Sequence, residues 1–328
     1  MNTANIITVI GSLNIDLVTL TPRIPSGGET ITASSFSAGP GGKGGNQATA
    51  CARLSRPKPT FEPHLTPTPD IIVKFIGAIG ADNFGTQIIS FMSRCSIDTS
   101  EVMIVDRQPT GVAVILVEKD TGENRILLSP GANFALVAED FKIAKSLGTP
   151  LPNLILLQLE IPLSTVLQVI KTAMIAKVDI ILNPAPAVLL PTEAYEGLTH
   201  LIMNETEAAT LSGRSLAEFE RADFNWANVT REFIAKGVKN VVVTLGAKGA
   251  FFANEDFLDG ELVPAAAVET VVDTTAAGDT FVGAYAISIV KKEGNTRDII
   301  ARACKAAART IEKAGSQQSI PWSDEVDR

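Results

Sequence analysis

The sequence predicts an α/β protein: a doubly wound, mostly parallel sheet flanked by helices, with a small β-sheet lid. Short aliphatic runs alternate with helical patterns along the 328 residues. The runs are continuously apolar, as in "NLILLQLE" and "VKNVVVTLG", which is typical of parallel strands covered on both faces. Two other stretches, far apart in sequence, have antiparallel character, and they indicate the lid.

The main domain is predicted from the order of its strands and helices. These elements are "IITVIG", "GGNQATACARLS", "IIVKFIGAIG", "FGTQIISFMSRC", "NLILLQLE", "STVLQVIKTAMIAK", "VDIILNPAP", "HLIMN" and "VKNVVVTLG". A late helix, "FVGAYAISIVKKEG", completes the series. We assign residues 1–13, 38–99 and 129–328 to this domain. Residues 55–70, "SRPKPTFEPHLTPTPD", are rich in Pro and Thr and predict an exposed insertion without regular structure.

Residues 14–37 and 100–128 interrupt this order and predict the lid. The first stretch alternates apolar and polar side chains, and the second contains hairpin-like strands around Gly111 and Gly122. We expect the two stretches to form one small sheet that packs on the main domain. Such a sheet exposes an apolar face when it stands alone, so the sequence also predicts a homodimer formed through the lids.

The composition favours neither nucleic acid nor a membrane as a partner. The formal net charge is −8 at pH 7, which does not suit a polyanion or an acidic membrane surface. The apolar runs are too short to span a bilayer. The first residues, "MNTANIITVIGSLNID", lack the basic region of a secretion signal.

Cysteine and histidine content limits the metal and redox chemistry. Cys51, Cys95 and Cys304 have no CxxC spacing, and we interpret them as free thiols in a reducing compartment. With two histidines, neither a histidine-based triad nor a His-rich metal site is expected. We therefore expect a cytoplasmic protein, with a nuclear location left open.

The stretch "DTTAAGDTF", Asp273 to Phe281, combines two carboxylates with small residues. Small residues allow another molecule to approach the backbone closely. If a helix begins here, its first N–H groups have no partner within the helix and form an anion site. Asp279 is then a carboxylate in the first turn, beside that site. An ordinary N-cap explains the pattern equally well.

Two stretches near the N-terminus carry polar side chains suited to a ligand with hydroxyl groups. "GSLNID" follows the first strand and places Asn14 and Asp16 on one face, although an Asx turn gives the same pattern. "GPGGKGGNQ" sets Lys43 and Asn46 among glycines, which favours a ligand loop over a flexible solvent loop. The spacing is not that of a P-loop. The glycines next to Lys43 on its two sides are Gly41, Gly42, Gly44 and Gly45.

Further polar residues follow the predicted strands. Glu160 ends a buried strand at the carboxyl edge, where α/β sheets bind ligands. Asn183, Asn204 and Glu207 follow later strands in the same way. The turn in "TLGAKGAFF" would suit a nucleotide, although a bare hairpin explains it as well. "GAIGADNFG" lacks the glycine spacing of a dinucleotide site, and we interpret it as a strand-to-helix turn.

Together these blocks resemble the ribokinase-like superfamily of carbohydrate kinases, and within it the ribokinases. The blocks are "GSLNID", "GGKGGNQA", "LQLEIP", "NPAPA", "NETEA", "TLGAKG", "DTTAAGDTFVGA" and "KAGSQQSIP". They cover nearly the whole chain in family order, interrupted chiefly at residues 55–70. The resemblance implies a ribokinase-like fold and an enzyme that phosphorylates a sugar hydroxyl with ATP and Mg²⁺.

The resemblance also implies roles for individual residues. Asp279 is the implied general base, and the backbone N–H groups around Ala276, Ala277 and Gly278 are the implied anion hole. The implied sugar-binding residues are Asn14, Asp16, Gly42, Lys43, Gly44, Gly45, Asn46, Glu160 and Asp279. The residues implied to bind ATP are Asn183, Asn204, Glu207, Thr244, Leu245, Gly246, Ala247, Lys248, Gly249, Gly278, Asp279 and Cys304.

Two metal sites follow from the same resemblance. Glu207 would organise Mg²⁺ through water, because this ion keeps much of its hydration shell. A K⁺ site is implied at Asp273, Thr275, Thr310, Lys313, Gly315 and Ser319, where Thr275, Thr310 and Lys313 would contribute carbonyl oxygens. Oxygen ligands with a single carboxylate suit a large, weakly charged ion. Gly315 also fits the glycine that commonly follows a helix.

The chain departs from the family pattern at two of these positions. Cys304 stands where the family commonly has Asn beside the nucleotide, and Gly45 stands where Ala is usual. The expected reaction is ATP-dependent phosphorylation of D-ribose at its 5-hydroxyl, giving D-ribose 5-phosphate and ADP, with activation by K⁺. The alternatives are a fructokinase, a deoxyribokinase, an adenosine kinase, or a sugar-binding regulator without catalytic activity.

Overall fold

The computed structural model of the protein describes residues 4–59, 70–221 and 224–327. Most of the insertion predicted at residues 55–70 therefore lies outside the described residues. Within the described ranges, no helix has both the length and the apolar content that a membrane span requires.

The described residues form two sheets and the helices that cover them. The strands are β1 (Asn5–Ile10), β2 (Asn14–Thr21), β3 (Ser35–Gly41), β4 (Ile71–Gly80), β5 (Asp98–Val105), β6 (Gly111–Glu118), β7 (Asn124–Ser129), β8 (Leu154–Leu157), β9 (Asp179–Leu182), β10 (His200–Asn204), β11 (Asn240–Thr244), β12 (Ala250–Asn254) and β13 (Phe257–Val263). The helices are α1 (Lys43–Leu54), α2 (Asn83–Arg94), α3 (Leu163–Ala176), α4 (Glu205–Ser212), α5 (Leu216–Phe219), α6 (Trp226–Ala235), α7 (Ala277–Lys291), α8 (Thr296–Ile311) and α9 (Ser323–Val326).

The larger sheet has the strand order β13-β12-β11-β10-β9-β8-β1-β4-β5. From β11 to β5 in that order, neighbouring strands pair in parallel. Strands β12 and β13 complete the other edge in antiparallel pairing. Every residue of the central strand β8 is buried, because helices cover both faces of the sheet. The predicted doubly wound α/β class is confirmed.

Two hydrophobic clusters lie on the two faces of this sheet. One contains Ala50 of α1, Ile88 of α2 and Tyr285 of α7. The other contains Val169 of α3 and Phe233 of α6. Both clusters receive side chains from the central strands, since successive strand residues point to opposite faces. The sheet is therefore the rigid layer from which the polar strand ends project.

Helices α1 and α7 pack closely side by side. A Cβ atom at Gly283 of α7 would lie 2.4 Å from the Cβ of Ala50 on α1, so no larger residue fits without a shift. Most residues of α7 are buried, which is typical of a helix enclosed by its neighbours. The close contact brings the N-terminal turns of the two helices together at one edge of the sheet.

The smaller sheet is the lid, with strand order β3-β2-β6-β7. Strand β2 pairs in parallel with β6, and the two outer strands pair in antiparallel fashion. The outer strand β7 is exposed along its length, and Ile126 and Leu127 are 59% and 62% exposed. The sheet therefore presents apolar side chains to solvent.

The lid boundaries differ from those predicted. Residues 98–105 form β5, which pairs with β4 at the edge of the larger sheet, so the second lid segment begins at Gly111 and not at residue 100. The run "SEVMIV" favours a strand in either sheet, so its sequence does not distinguish an edge strand of the larger sheet from a lid strand. Strand β3 also extends to Gly41, beyond the predicted limit at residue 37.

Candidate active site

The candidate site lies at the carboxyl edge of the larger sheet. Strands β1, β8, β9 and β10 end there, and helices α1, α4 and α7 begin there. Polar side chains that directly follow parallel strands meet at this edge, as the sequence indicated. The lid strand β2 begins beside it at Asn14, so the lid contributes to the same polar surface.

Asp279 is held by two amides of consecutive residues on α1. Its Oδ2 accepts a hydrogen bond of 2.9 Å from Nδ2 of Asn46, and its Oδ1 accepts one of 3.0 Å from Nε2 of Gln47. The Asp279 side chain is in the first turn of α7 and the residue is buried. Both oxygens are therefore oriented, and each keeps further capacity to accept a proton or a hydrogen bond.

The backbone before α7 adopts an unusual conformation. Ala276 has φ 61° and ψ 5°, a left-handed conformation that costs a residue with a Cβ about 1–2 kcal/mol. In the described residues, no side chain caps the N-terminus of α7. The N–H groups of its first turn are therefore available to an anion beside Asp279. Strain of this kind at a cavity indicates a functional site.

The Glu160 carboxylate of the candidate site accepts hydrogen bonds from three donors. Its Oε2 accepts from Ser12 Oγ at 2.6 Å, from the backbone N–H of Lys43 at 2.9 Å and from Asn14 Nδ2 at 3.4 Å. These donors come from the β1–β2 connection, the start of β2 and the start of α1. Glu160 thus joins the lid to the main domain at the pocket wall.

Asn133 orients Asn14. Its Nδ2 donates to Oδ1 of Asn14 at 2.8 Å and to the Leu13 carbonyl at 3.1 Å, while its own Oδ1 accepts from Leu13 N–H at 2.8 Å. With its oxygen occupied, Asn14 presents its Nδ2 as a donor. An amide donor and the nearby carboxylates suit the hydroxyl groups of a polyol.

Asp16 lies on the same face of β2 as Asn14. Its Oδ2 accepts a hydrogen bond of 2.5 Å from Ser316 Oγ. A Cβ at Gly41 would lie 2.1 Å from that oxygen, so the glycine makes room for the carboxylate. Burial is the main reason why the pKa of Asp16 is raised to about 6; the carboxylates of Glu160 and Asp279 add to it, and Ser316 and Lys43 oppose it.

Lys43 is surrounded by four carboxylates. Burial lowers the pKa of its ammonium, but Asp279, Glu160, Glu207 and Asp16 together raise that pKa above its ordinary value. Lys43 therefore remains charged and partly offsets the repulsion among the acids. A cation at this position also suits a phosphoryl group that arrives beside Asp279.

Asn46 keeps one acceptor without a partner. Its Oδ1 is buried and forms no hydrogen bond within the described residues. Buried polar atoms of this kind are rare, and a bound ligand commonly supplies the missing partner. A hydroxyl group that donates to Oδ1 would satisfy it, which places a ligand hydroxyl next to Asp279.

A cavity of about 210 Å³ extends from Asp279 to Glu207. Its wall includes Lys43, Asn183, Asn204 and Thr244, together with residues 276–278 before and within the first turn of α7. The cavity is larger than a phosphate group and joins the Asp279 carboxylate to the uncapped start of α7. Asp279 also interacts electrostatically with Asp16, so the polar side chains around Asp16 and the cavity adjoin at Asp279.

Glu207 forms a reciprocal cap at the start of α4. Its backbone N–H donates to Asn204 Oδ1 at 2.8 Å, and its Oε2 accepts from Asn204 N–H at 2.8 Å. Asn183 Nδ2 lies 3.5 Å from the same oxygen. Burial raises the pKa of Glu207. This capping arrangement explains the Asn204–Glu207 pair without any ligand. It also holds the Glu207 carboxylate on the cavity wall.

The predicted nucleotide turn has a structural explanation of its own. The Leu245 N–H donates to the Gly249 carbonyl at 2.7 Å, and Gly246 and Gly249 have φ values of 54° and 106°. Thr244 lines the cavity, whereas residues 245–249 do not. Cys304 is buried on α8, where burial raises its pKa to about 11, and it does not line the cavity either.

The predicted cation-site residues are partly brought together. Asp273 Oδ1 accepts from Thr275 N–H at 2.9 Å, and its Oδ2 accepts from Gly315 N–H at 2.9 Å. Thr310 Oγ1 lies 2.9 Å from Thr280 Oγ1, and Ser319 Oγ donates to a carbonyl at 2.7 Å. The Lys313 side chain pairs with Glu325, which is compatible with the predicted role of its carbonyl.

This arrangement suits a large monovalent ion better than a small divalent one. Asp273 brings one carboxylate, and each of its oxygens can still accept a second partner beyond the backbone N–H. Across the residues that the structure describes, no three His, Cys, Asp or Glu side chains converge as a metal cluster. A cation here would depend on backbone carbonyls and one acid.

The sequence interpretation missed four polar residues of the site: Ser12, Gln47, Asn133 and Ser316. Gln47 lies within the quoted stretch "GPGGKGGNQ", but no role was predicted for it. Its position directly after Asn46, near the start of a helix, was the available signal. Ser316 lies within the quoted block "KAGSQQSIP", but no role was predicted for it. Asn133 belongs to none of the quoted blocks.

Comparisons with known protein families, sequences and structures all indicate a carbohydrate kinase. The model of the pfkB family of carbohydrate kinases matches residues 5–323. A ribokinase of Schizosaccharomyces pombe is 40% identical over 98% of this chain and 96% of its own. A deoxyribokinase of Salmonella typhimurium is 34% identical over 96% of this chain and 95% of its own. The structure of Arabidopsis thaliana ribokinase complexed with ribose and ATP is 30% identical, with a TM-score of 0.82, and the match covers 99% of this chain and 98% of that one.

Replacement of Asp16 with asparagine is expected to stabilise the ligand-free protein at pH 8. The pKa of Asp16 is about 6 when folded and 3.8 for the ordinary group. Its contribution to stability is therefore present below about pH 4 and is lost as the pH rises through about pH 6. At about 1.4 kcal/mol per pKa unit, Asp16→Asn should raise the free energy of unfolding by about 1–3 kcal/mol at pH 8.

Urea unfolding at pH 4, 6 and 8 measures this effect, and pH 4 serves as the internal control. The difference between Asp16→Asn and the wild type should be small at pH 4 and should grow with pH. A difference of equal size at all three pH values, or a loss of stability at pH 8, would contradict the account.

Proposed function

The chain belongs to the pfkB family of carbohydrate kinases, and from that premise we propose that it phosphorylates D-ribose at the 5-hydroxyl with ATP. The observation that supports this most directly is the position of Asp279. It lies between a polar pocket suited to a polyol and the uncapped N-terminus of α7, which suits a phosphoryl group. In the proposed complex, this one carboxylate would therefore lie beside both partners of the phosphoryl transfer.

In the proposed reaction, Asp279 acts as general base. The 5-hydroxyl oxygen of the sugar forms a bond to the γ-phosphorus of ATP, and its proton passes to Asp279. The bond between that phosphorus and the β–γ bridging oxygen breaks, and ADP leaves with the electron pair. The N–H groups around Ala276, Ala277 and Gly278, with the Lys43 ammonium, stabilise the charge on the transferring group.

The polar pocket favours ribose over larger or less hydroxylated ligands. Asn14, Asp16, Lys43, Asn46 and Glu160 contribute charged or amide groups. A Cβ at Gly42, Gly44 or Gly45 would lie within 2.8 Å of a neighbouring protein atom, so these glycines let the start of α1 pack closely beside those groups. A ligand that leaves such buried groups unpaired loses about 1–3 kcal/mol for each. The relatives include a ribokinase and a deoxyribokinase, whose names specify sugars with and without a 2-hydroxyl group. The contribution of that hydroxyl to substrate preference is therefore the feature to test.

Two metal ions fit the residues present. Glu207, which Asn204 holds on the cavity wall, and Asn183 would hold Mg²⁺ through water near the phosphates of ATP. Mg²⁺ neutralises charge on those phosphates when it is bound. Asp273, with carbonyls from Thr275, Thr310 and Lys313 and the neighbouring Gly315 and Ser319, would hold K⁺ beside the loop that precedes α7.

We propose that the nucleotide binds the cavity and the other residues that were predicted to contact ATP. Thr244 lines the cavity, and the turn formed by Leu245, Gly246, Ala247, Lys248 and Gly249 continues outward from it. The resemblance implies that Cys304 on α8 also borders the nucleotide. The buried Cys304 thiol offers an apolar contact rather than a hydrogen bond.

The free thiols support a cytoplasmic location. Cys51, Cys95 and Cys304 are all free and buried. A buried thiol that is not part of a disulfide is compatible with a reducing compartment. We therefore propose that the enzyme acts in the cytoplasm.

The substrate is tested by kcat/KM for ribose, 2-deoxyribose, fructose and adenosine under identical Mg²⁺ and K⁺. Ribose should exceed each of the others by about tenfold or more, since one stranded buried group costs about 1–3 kcal/mol. A higher value for 2-deoxyribose, fructose or adenosine would leave the family assignment intact and overturn the assignment of ribose.

Asp279→Asn should lower kcat by about 10²–10⁴-fold, because the amide cannot take the hydroxyl proton. Ribose affinity, measured by calorimetry without nucleotide, should change little. Asp298→Asn is the matched control: it removes an exposed acid from the first turn of α8 and should leave kcat unchanged. A rate above one tenth of wild type in Asp279→Asn rules out the proposed base.

K⁺ should activate the enzyme, because Asp273 ties the loop before α7 to Gly315 and a cation there would stabilise the anion site. Asp273→Ala should lose both activity and the response to K⁺, whereas Asp256→Ala on an exposed turn should retain both. The measurement compares rates in potassium and tetramethylammonium salts at equal ionic strength. Equal wild-type rates in the two salts would be the contrary result.

The exposed apolar strand β7 supports a homodimer formed through the lids. Ile126 and Leu127 are too exposed to contribute to the core of one chain. Light scattering at micromolar concentration with ribose should give the dimer mass for the wild type. Leu127→Asp should give the monomer, and a monomeric wild type would contradict the proposal.

A further inference from the structure

The Asp16 carboxylate is bound on one side by a residue far away in sequence. Ser316 follows α8, and its Oγ donates to Asp16 Oδ2 at 2.5 Å. Both residues are buried. Among the described residues, Asp16 Oδ1 accepts no hydrogen bond. The serine therefore occupies one oxygen and leaves the other as the acceptor.

The Ser316 hydroxyl is presented by a firmly held turn. The preceding residue, Gly315, donates its N–H to Asp273 Oδ2 at 2.9 Å. The following residue, Gln317, donates through Nε2 to the Gly41 carbonyl at 3.2 Å. The Ser316 carbonyl itself accepts from Ser319 Oγ at 2.7 Å.

Helix α1 holds the same turn from a second side. Arg53 Nη1 donates to the Gln317 carbonyl at 2.9 Å and to the Ile320 carbonyl at 2.7 Å. Thr49 Oγ1 donates to Gln317 Oε1 at 3.3 Å. With so many backbone contacts, the turn does not follow Asp16 if that side chain moves. Ser316 thus sets the position of the carboxylate, and not the reverse.

Asp16 needs such a donor because its surroundings oppose its charge. Glu160 after β8 and Asp279 on α7 are like charges that face it, and Lys43 on α1 is the opposing cation. Asp16 belongs to the lid strand β2, whereas Ser316 belongs to the main domain. A carboxylate without the serine is free to rotate away from the two acids or to hold a proton.

We propose that Ser316 is a positioning residue for the sugar: its hydroxyl holds Asp16 so that Oδ1 remains the acceptor for a sugar hydroxyl. The proposal rests on the proposed function, since it assigns Asp16 to sugar binding. Ser316 does not reach the reacting atoms, so its loss weakens sugar binding while phosphoryl transfer from the bound state continues.

The test compares Ser316→Ala and Ser316→Thr with the wild type in ribose affinity, KM, kcat and their pH dependence. Ser316→Ala should raise the ribose KM and Kd by about tenfold, the size expected for one hydrogen bond to a charged group. The value of kcat at saturating ribose should stay within about twofold. The pH below which affinity falls should move upward, because the donor that favours the charged form of Asp16 is gone.

Matched variants then separate the effect of the Ser316 hydroxyl from the effect of side-chain shape. Ser316→Thr keeps the hydroxyl and should restore affinity, whereas Ser316→Val has the same shape without it and should not. In an Asp16→Asn background, Ser316→Ala should add no further loss of affinity. Gln318→Ala changes the exposed side chain of the same turn and should match the wild type.

Wild-type affinity and an unchanged pH profile in both Ser316→Ala and Ser316→Val would overturn the proposal. An equal loss in Ser316→Thr and Ser316→Val would also overturn it, since the effect would then come from packing. Wild-type turnover of ribose is measured first. If the enzyme prefers another sugar, the proposed function fails, and the same variants compared with that sugar still decide the role of Ser316.

Discussion

The site depends on one interaction: consecutive amides on α1 hold both oxygens of Asp279 on α7. Asn46 and Gln47 can do this only if the two helices begin side by side. That arrangement requires the close packing at Gly283, where a side chain would meet Ala50. Gln47 is held in turn by Gln158, whose Nε2 donates to it at 2.6 Å. The position of the acid thus follows from the packing of the whole main domain.

The same pocket concentrates charge at a cost to stability. Four carboxylates face one ammonium, and burial raises the pKa of Asp16 and of Glu207. A protein selected for stability alone would not place so many acids together. The cluster makes chemical sense for a ligand that supplies many hydroxyl donors and for a nucleotide whose phosphates meet Lys43 and the start of α7.

Much of this site could be predicted from the sequence because its residues directly follow apolar strands. Glu160, Asn204 and Glu207 follow strands of the larger sheet that pair in parallel, so their side chains meet at one edge. Asn14 starts the lid strand β2, which begins beside that edge. Asp279 was predictable from the small residues before it. The fold class followed from the same pattern of continuous apolar runs.

The contacts that orient these residues could not be predicted from the positions of the strands and helices along the sequence. Ser316 meets Asp16 only because the turn after α8 packs against the lid strand β3, and no spacing in the sequence encodes that contact. Gln47 looked like an ordinary helix residue, since its partner lies on α7. Strand β5 was assigned to the wrong sheet because its strand-forming run does not show which sheet it joins.

The most direct test of the account is the single-turnover rate of ribose phosphorylation in Gln47→Met. Methionine keeps the length of the side chain and removes the amide that donates to Asp279 Oδ1. A hydrogen bond to a charged group contributes about 1.5–3 kcal/mol, so at 1.36 kcal/mol per tenfold the rate should fall by about 10–100-fold, with ribose affinity largely retained. A wild-type rate in a folded Gln47→Met variant would contradict the claim that these amides position the base.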